Sequence, residues 1–457
     1  MCAALLAASG ATASAAGDAS TAAKRPDIVL ITLDTTRADH LGAYGYERDT
    51  TPHLDRLAVD AAVYQNAYST TTWTLPSHAS LLTGKFPTSH GAMHDAEGPL
   101  IRGDAIDGPE FFTLHRARGI SGDETTMADI LRAEGYATGA VVAGPWLKRL
   151  FGLARGFDHY DDQQISSVRG RLAEQVTTAA IEWLEASSAG SFFLFLNYYD
   201  PHGPYTDPAG LAARFLPPDT PIYPPPENPS AEFRHASYDG EIMYMDRHLG
   251  RLFDYLRAQG RYDDAWILVT ADHGELLGEH DTTGHGYSLY EAELRIPLLI
   301  KSPRGQLKSG PRDERIQLTD ILPLLLTELD LPIPDGVQGR ARAEDRPDVY
   351  AEVYPLGGRA QWRALIHDGV KFLWNSEGKH ELYALKTDPD ERIDLCSDRA
   401  GLAKTLEAAT DALFAALPRP SDSSAPTHVD TGTREALRSL GYLPDSGESI
   451  PAESGAR

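Results

Sequence analysis

Cysteine is almost missing from this chain. Cys2 and Cys396 are the only two in 457 residues, which argues against both a disulfide framework and a thiolate metal centre. Basic residues are scarce as well: 42 Lys and Arg stand against 66 Asp and Glu, a formal charge of −24. That balance argues against nucleic acid as a partner, and any anionic substrate must meet positive charge supplied locally. Long apolar runs are lacking too. None reaches the roughly 20 residues of a membrane span.

What is present describes a globular protein, with 42% apolar and 24% charged residues. The length exceeds the usual single core of about 250 to 300 residues, so a large domain with a smaller one is expected. Residues 1–25 begin with "MCAALLAASGATASAAGDAS". The small apolar residues and the A-x-A pattern ending at Ala15 read as a signal peptide and linker, implying export to the periplasm or the exterior. A disordered Ala-rich tail or a misplaced start is the alternative, with a cytoplasmic location left open, because the first basic residues, Lys24 and Arg25, lie downstream of that pattern. Residues 418–457 read as a flexible tail: "PRPSDSSAPTHVD" is linker-like, and "TREALRSLGYL" is a short terminal helix.

Between these ends the pattern is α/β. "DIVLITL" (27–33), "TGAVVA" (138–143), "SFFLFLNYY" (191–199), "AWILVTA" (265–271) and "IPLLI" (296–300) are short runs of the kind buried on both faces of a sheet. "TPHLDRLAVDAAVY", "TTMADILRAEGY", "LAEQVTTAAIEWLEAS" and "GEIMYMDRHLGRLFDYLRAQG" place apolar residues at helical spacing between them. The alternation predicts a doubly wound, mainly parallel sheet flanked by helices, an α/β domain over residues 26–345. From about residue 348 short runs, "VYAEVY", "WRALIHD", "VKFLWN" and "HELYAL", precede a helix over 401–417. This predicts a small C-terminal subdomain, 346–417, with an antiparallel sheet and a packing helix.

Three of the buried runs end in aspartate, at Asp34, Asp200 and Asp272. In open α/β sheets ligands bind beyond the carboxyl ends of the strands, so these carboxylates are directed to one rim. His273 follows Asp272 directly, and a carboxylate beside an imidazole on a tight turn suits a divalent metal with mixed oxygen and nitrogen donors. A single Asp in such a place is more often a cap. Three together favour a site.

At this point "PDIVLITLDTTRADHLGAYGYERDTTPHLDRLA", "TLPSHASLLTG", "TADHGELLGEHDTTGHGYSLYEAELRIPLLI" and "VKFLWNSEGKHELYALKTDPDERIDL" resemble, in order, the signature blocks of the sulfatase family in the alkaline phosphatase superfamily. The likeness covers roughly residues 26 to 417. It implies a metal-dependent hydrolase of sulfate or phosphate esters. The family's nucleophile box reads Cys or Ser, any residue, Pro, Ser, Arg, with its first residue oxidised to formylglycine. Thr74, Leu75, Pro76, Ser77 and His78 stand there in this chain. Threonine would give only a ketone on oxidation, so the formylglycine route is closed, but an unmodified Thr74 hydroxyl can attack when a metal lowers its pKa. Its place ahead of a predicted helix adds backbone N–H donors for the anion. Ser77 reads as a helix cap.

The resemblance implies a metal set of Asp34, Thr74, Asp272 and His273. Where sulfatases carry two consecutive aspartates, Thr35 follows Asp34. With one carboxylate fewer the site shifts from Ca, which prefers six to eight oxygen ligands, toward Mn, Zn or Mg. His202 stands where the family has an anion-contacting histidine, and His285 where it has an anion-binding lysine. Together with Asp200 they offer an alternative second metal site. The family's lysines are displaced, leaving Lys148 beside Trp146, and Arg37, as basic side chains that could compensate.

These residues predict that Thr74 attacks sulfur or phosphorus, with His202 and His285 assisting as catalytic groups. The substrate class is a small-molecule or glycan- or lipid-linked sulfate or phosphate ester, with phosphoesters slightly favoured. An arylsulfatase-like sulfuric ester hydrolase is one alternative, and a phosphoryl-group transferase on a lipid or glycan another, disfavoured by the lack of spans. A binding protein without turnover is argued against by the intact metal set. Residues 217–229, with seven prolines, and 95–123 read as loops decorating the rim. No feature names the leaving group or the oligomeric state.

Overall fold

The computed structural model describes residues 25–94, 100–101, 115–165, 170–187, 190–222, 226, 228–343, 347–355 and 359–420. The signal-peptide and terminal-helix expectations, and much of the two rim loops, lie outside the described residues.

The strand Ile28–Leu33 is buried along its whole length, and its side chains divide between two cores as the pleat dictates. Ile28 and Leu30 join Leu75, Leu82 and Ile321 on one face. Val29, Ile31 and Leu33 join Leu54, Val176 and Leu249 on the other. Helices therefore cover both faces: Thr74–Thr83, Met127–Ala133 and Leu318–Glu328 on the first, Pro52–Asp60, Ala173–Ala186 and Ala231–Ala258 on the second.

Across the sheet the strands run His159–Asp161, Ala137–Val141, Phe192–Tyr198, Ile28–Leu33, Trp266–Thr270, Leu298–Lys301, Ala62–Tyr68 and Arg295–Ile296, and Gly310–Gln317 also pairs with Ala62–Tyr68. The first five are mutually parallel. Leu298–Lys301 runs antiparallel to both of its neighbours, so the sheet is mixed but mostly parallel. Ile28–Leu33 sits between Phe192–Tyr198 and Trp266–Thr270. Asp34, Asp200 and Asp272 thus follow three adjacent strands that point the same way.

Two elements depart from the sequence expectation. The helical reading of residues 51–64 stops short: the helix is Pro52–Asp60, and Ala62–Tyr68 is a strand. Its β-branched and aromatic residues find hydrogen-bond partners on both edges, and this tertiary pairing overrides local periodicity. The helix expected from Gly240 begins at Ala231, because Ser230 caps it by accepting from Phe233 N at 3.1 Å.

Val349–Val353, Trp362–His367, Val370–Asn375 and Glu381–Ala384 form an antiparallel meander. The helix Ala400–Ala416 covers it, with Ala403 and Leu406 against Leu365, Phe372 and Leu382. Two buried charged groups tie this sheet to helical segments of the larger domain. Lys371 Nζ reaches Glu291 Oε1 at 3.0 Å and Glu391 Oε1 at 2.8 Å. Glu352 accepts from Thr88 N and Thr88 Oγ1 at 2.6 and 2.7 Å. No described helix is long and apolar enough to cross a membrane.

Candidate active site

Every residue of the helix Thr74–Thr83 is buried. It forms because Leu75, Ala79, Leu81 and Leu82 pack into the core, Pro76 sits in the first turn where its missing N–H costs nothing, and Gly84, with φ of 67°, closes the C-terminus. Thr74 is its first residue. Trp73 occupies the N-cap without a side-chain cap bond, so the reading of Ser77 as a cap is corrected. Ser77 lies inside the helix, and its Oγ donates to Asp272 O at 2.7 Å.

That bond pins the helix to the end of the Trp266–Thr270 strand. His78 pins it to Ile28–Leu33: its Nδ1 donates to Thr74 O at 2.8 Å, and Thr32 Oγ1 donates to its Nε2 at 2.9 Å. Burial lowers the His78 pKa, in keeping with this neutral, doubly bonded ring. His78 is a strut beneath the first turn.

Asp34, Asp272 and His273 place one ligand atom each within 4.8 Å of one another, all three residues buried. Thr35 N and His273 N donate to Asp272 Oδ1 at 3.1 and 2.9 Å, which leaves Oδ2 directed inward. His273 Nδ1 donates to Gly274 O at 2.9 Å, so Nε2 carries the lone pair. Nε2 stands 3.3 Å from Asp272 Oδ2 and 3.4 Å from Thr74 Oγ1. Asp34 Oδ1 and Asp272 Oδ2 are buried without a hydrogen-bond partner. Burial raises the Asp34 pKa well above the usual carboxylate range, and the Asp272 charge raises it further. Burial lowers His273 to about 4. Two carboxylate oxygens and an imidazole lone pair facing one another, all acceptors, fit a divalent cation. Among the described residues this is the one such cluster.

Asn197 was not singled out from sequence. Its Oδ1 accepts from Ala143 N and Gly144 N at 3.2 and 2.9 Å, while Nδ2 points at Thr32 Oγ1 (3.3 Å) and Asp34 Oδ2 (3.5 Å). It orients Asp34. Gly274 is a second such residue, since a Cβ there would lie 2.0 Å from Ala292 O. The close approach lets Gly274 N donate to Glu293 O at 2.7 Å and holds the turn after His273.

His202 and His285 stand beside this cluster. The His285 ring lies 4.5 Å from that of His273 and 4.9 Å from that of His202, while His202 stacks on Tyr199 at 4.4 Å. Burial, then the neighbouring His285, pushes His202 well below its ordinary pKa, and its Nδ1 donates to Gly203 O at 2.7 Å. Burial opposes charge on His285 as well, but Glu275 Oε1 at 3.1 Å from its Nδ1 outweighs it, and its pKa is raised. Glu275, two residues past His273, also escaped the sequence reading.

Three expectations require correction or relocation. Asp200 does not join His202 and His285 in a ligand cluster among the described residues. Its Oδ1 accepts from Ala173 N at 2.9 Å and caps the helix Ala173–Ala186. Burial raises its pKa to about 7. Arg37 is not free to compensate for missing lysines: its guanidinium is buried against Asp39 (2.7 Å) and Glu279 (2.5 Å). Lys148 lies in the turn between Pro145–Leu147 and Arg149–Phe151, and Trp146 packs edge-on to Trp73 at 4.8 Å.

The sulfatase family model matches residues 26–331. An arylsulfatase of Clostridium perfringens is 25% identical over 449 residues, spanning 81% of this chain and 90% of the relative. Two solved structures share the fold. The protein BT4656 in complex with its substrate D-glucosamine-2-N,6-O-disulfate superposes with a TM-score of 0.68 at 18% identity, covering 86% of this chain and 97% of that one. The phosphonate monoester hydrolase of Agrobacterium radiobacter superposes with a TM-score of 0.65 at 19% identity, covering 85% and 95%.

Proposed function

The chain belongs to the sulfatase family of the alkaline phosphatase superfamily, whose members hydrolyse ester bonds, and from that premise we propose that it cleaves phosphate esters with unmodified Thr74 as the nucleophile. The observation that carries this reading is the position of Thr74 Oγ1, in the first turn of a buried helix and 3.4 Å from His273 Nε2 in the Asp34–Asp272–His273 cluster. Those three residues and Thr74 would hold one divalent cation. When bound, it neutralises substrate charge and lowers the pKa of the Thr74 hydroxyl.

The remaining work falls to the chain itself. Ser77 and His78 hold the first turn so that Thr74 Oγ1 faces the reacting phosphorus or sulfur. The N–H groups of that turn stabilise the non-bridging oxygens. His285, kept protonatable by Glu275, contacts the anion, and neutral His202, whose Nδ1 carries the proton, accepts at its Nε2. Attack by Thr74 expels the alcohol and leaves a Thr74 ester, which water then cleaves.

A threonine ester cannot collapse as a formylglycine hemiacetal does. It needs a second displacement at the central atom, which is the chemistry of phosphoryl transfer, so phosphate or phosphonate esters are favoured over sulfates. The phosphonate monoester hydrolase among the fold neighbours supports this, and the neighbour with a sugar disulfate supports a glycan-linked leaving group as the second reading. The Ala-rich residues 1–25 support export as part of the proposal.

Acid quench during turnover, followed by mass spectrometry of the tryptic peptide spanning residues 57–85, tests it. One added phosphoryl group on Thr74 is expected. Oxidation at Thr74, or turnover unaffected by Thr74→Ala, defeats the nucleophile assignment.

A further inference from the structure

After Asp34 the chain reverses through Thr35, whose φ is 52°. A β-branched residue adopts this left-handed conformation only where its surroundings impose it. The surroundings here are specific. Thr35 N donates to Asp272 Oδ1 at 3.1 Å. On the other side of the turn the phenol of Tyr238, from the helix Ala231–Ala258, donates to Thr35 O at 2.6 Å and accepts from Arg37 N at 2.8 Å.

One hydroxyl therefore closes the turn by satisfying both a carbonyl and an amide that no ladder serves. Tyr238 is fully buried. Its ring is wedged between Ile242 and Leu277, with His40 at 4.9 Å and Tyr205 at 5.7 Å. The Arg37 guanidinium braces the same turn to Glu275 O at 3.2 Å, two residues beyond His273. The segments bearing Asp34 and Asp272–His273 are thus joined through a turn that Tyr238 holds in a conformation Thr35 would otherwise leave.

We propose that Tyr238 is a positioning residue for the candidate metal site, fixing the spacing of Asp34 and Asp272 through the Thr35 turn. The inference rests on reading Asp34, Asp272 and His273 as metal ligands. Groups that orient ligands without touching the ion typically contribute about 10- to 100-fold to metal affinity, and Tyr238→Phe removes both hydrogen bonds while keeping the ring and its packing.

The experiment is calorimetric titration of metal-stripped full-length protein with Mn²⁺ for wild type, Tyr238→Phe and Asp272→Asn, with the melting temperature of each metal-free protein alongside. Tyr238→Phe is expected to bind Mn²⁺ about 10- to 100-fold more weakly, and Asp272→Asn more weakly still. A role confined to stability lowers the metal-free melting temperature and leaves Kd within about twofold, a result that overturns the proposal. Wild-type affinity in Asp272→Asn overturns the metal reading itself, so the two failures are distinct. If Tyr238→Phe alone does not fold, Thr35→Gly is compared with Thr35→Gly/Tyr238→Phe, since glycine accepts the left-handed turn without the phenol. Recovery of folding with Kd within about twofold of Thr35→Gly supports a role through the Thr35 turn, and a loss of at least about fivefold despite the glycine, or no recovery of folding, overturns it.

Discussion

Ser77 Oγ donates to the main-chain oxygen of Asp272 at 2.7 Å, and this bond joins the helix that carries Thr74 to the strand end that carries two of the three clustered candidate ligands. Both residues are buried, so Ser77→Ala leaves the Asp272 carbonyl unsatisfied. The expected cost is about 1 to 3 kcal/mol in chemical denaturation. The expected kinetic signature is a fall in kcat larger than any rise in KM, because Thr74, the proposed nucleophile, is displaced relative to its neighbours. A variant with wild-type kcat and only lowered stability shows that the bond does not register the helix.

The cluster also predicts how single removals behave. Asp34 Oδ1 and Asp272 Oδ2 have no hydrogen-bond partner while buried, and a bound cation would resolve that. Asp272→Asn and His273→Ala should each lose metal content and activity together, and the double variant should be hardly worse than either, since ligands to one ion do not act additively. Elemental analysis and ester hydrolysis on the same preparations check this. Stoichiometric metal in an inactive His273→Ala protein sinks the assignment of His273 as a ligand.

The pattern of a buried run ending in aspartate was legible from sequence for Asp34, Asp200 and Asp272, and the fold brings all three strand ends side by side. Local sequence could not distinguish their fates. Asp34 and Asp272 are left with unpaired inward oxygens, while Asp200 meets the N-terminus of Ala173–Ala186. The residues that went unnoticed act across the chain: Asn197 reaches Asp34 over 163 positions, and Tyr238 reaches Thr35 over 203. Periodicity reports which face a residue occupies, and it carries no information about such partners. Arg37 shows the converse, a cation visible in the sequence whose charge is consumed by Asp39 and Glu279.

Glu241 gives a test of stability against pH. It is buried, its Oε1 accepts from Thr206 N and Asp207 N at 2.5 and 2.7 Å, and burial, with repulsion from Asp200, raises its pKa to about 8. A carboxyl whose folded pKa lies above its unfolded value of about 4.5 contributes stability that is fully present below pH 4.5 and is lost as pH rises through 8. Glu241→Gln keeps the acceptor and removes the ionisation. Relative to wild type, the variant should gain stability from about pH 5 to pH 9, by up to about 5 kcal/mol. Melting curves across that range check it, and a constant difference between the two proteins contradicts the raised pKa.

The choice of central atom is the last test. An aryl sulfate and an aryl phosphodiester or phosphonate monoester each carry about one negative charge at neutral pH, whereas an aryl phosphate monoester carries close to two. Arg37 is engaged by Asp39 and Glu279, and the chain as a whole carries a formal charge of −24. Charge alone therefore favours the monoanions over the phosphate monoester. Among the monoanions the proposed nucleophile decides: a Thr74 ester would have to be cleaved by a second displacement, which phosphorus supports better than sulfur. With matched nitrophenyl esters, kcat/KM should be highest for the diester or phosphonate monoester, both should exceed the equally charged sulfate, and Mn²⁺ or Zn²⁺ should raise the rates. A gap of about tenfold corresponds to only 1.4 kcal/mol of transition-state stabilisation, so Thr74→Ala must be assayed beside each ester to exclude contaminants. A sulfate preference that disappears in Thr74→Ala would mean that threonine supports sulfuryl transfer here, and the phosphoester assignment would fall while the nucleophile stood.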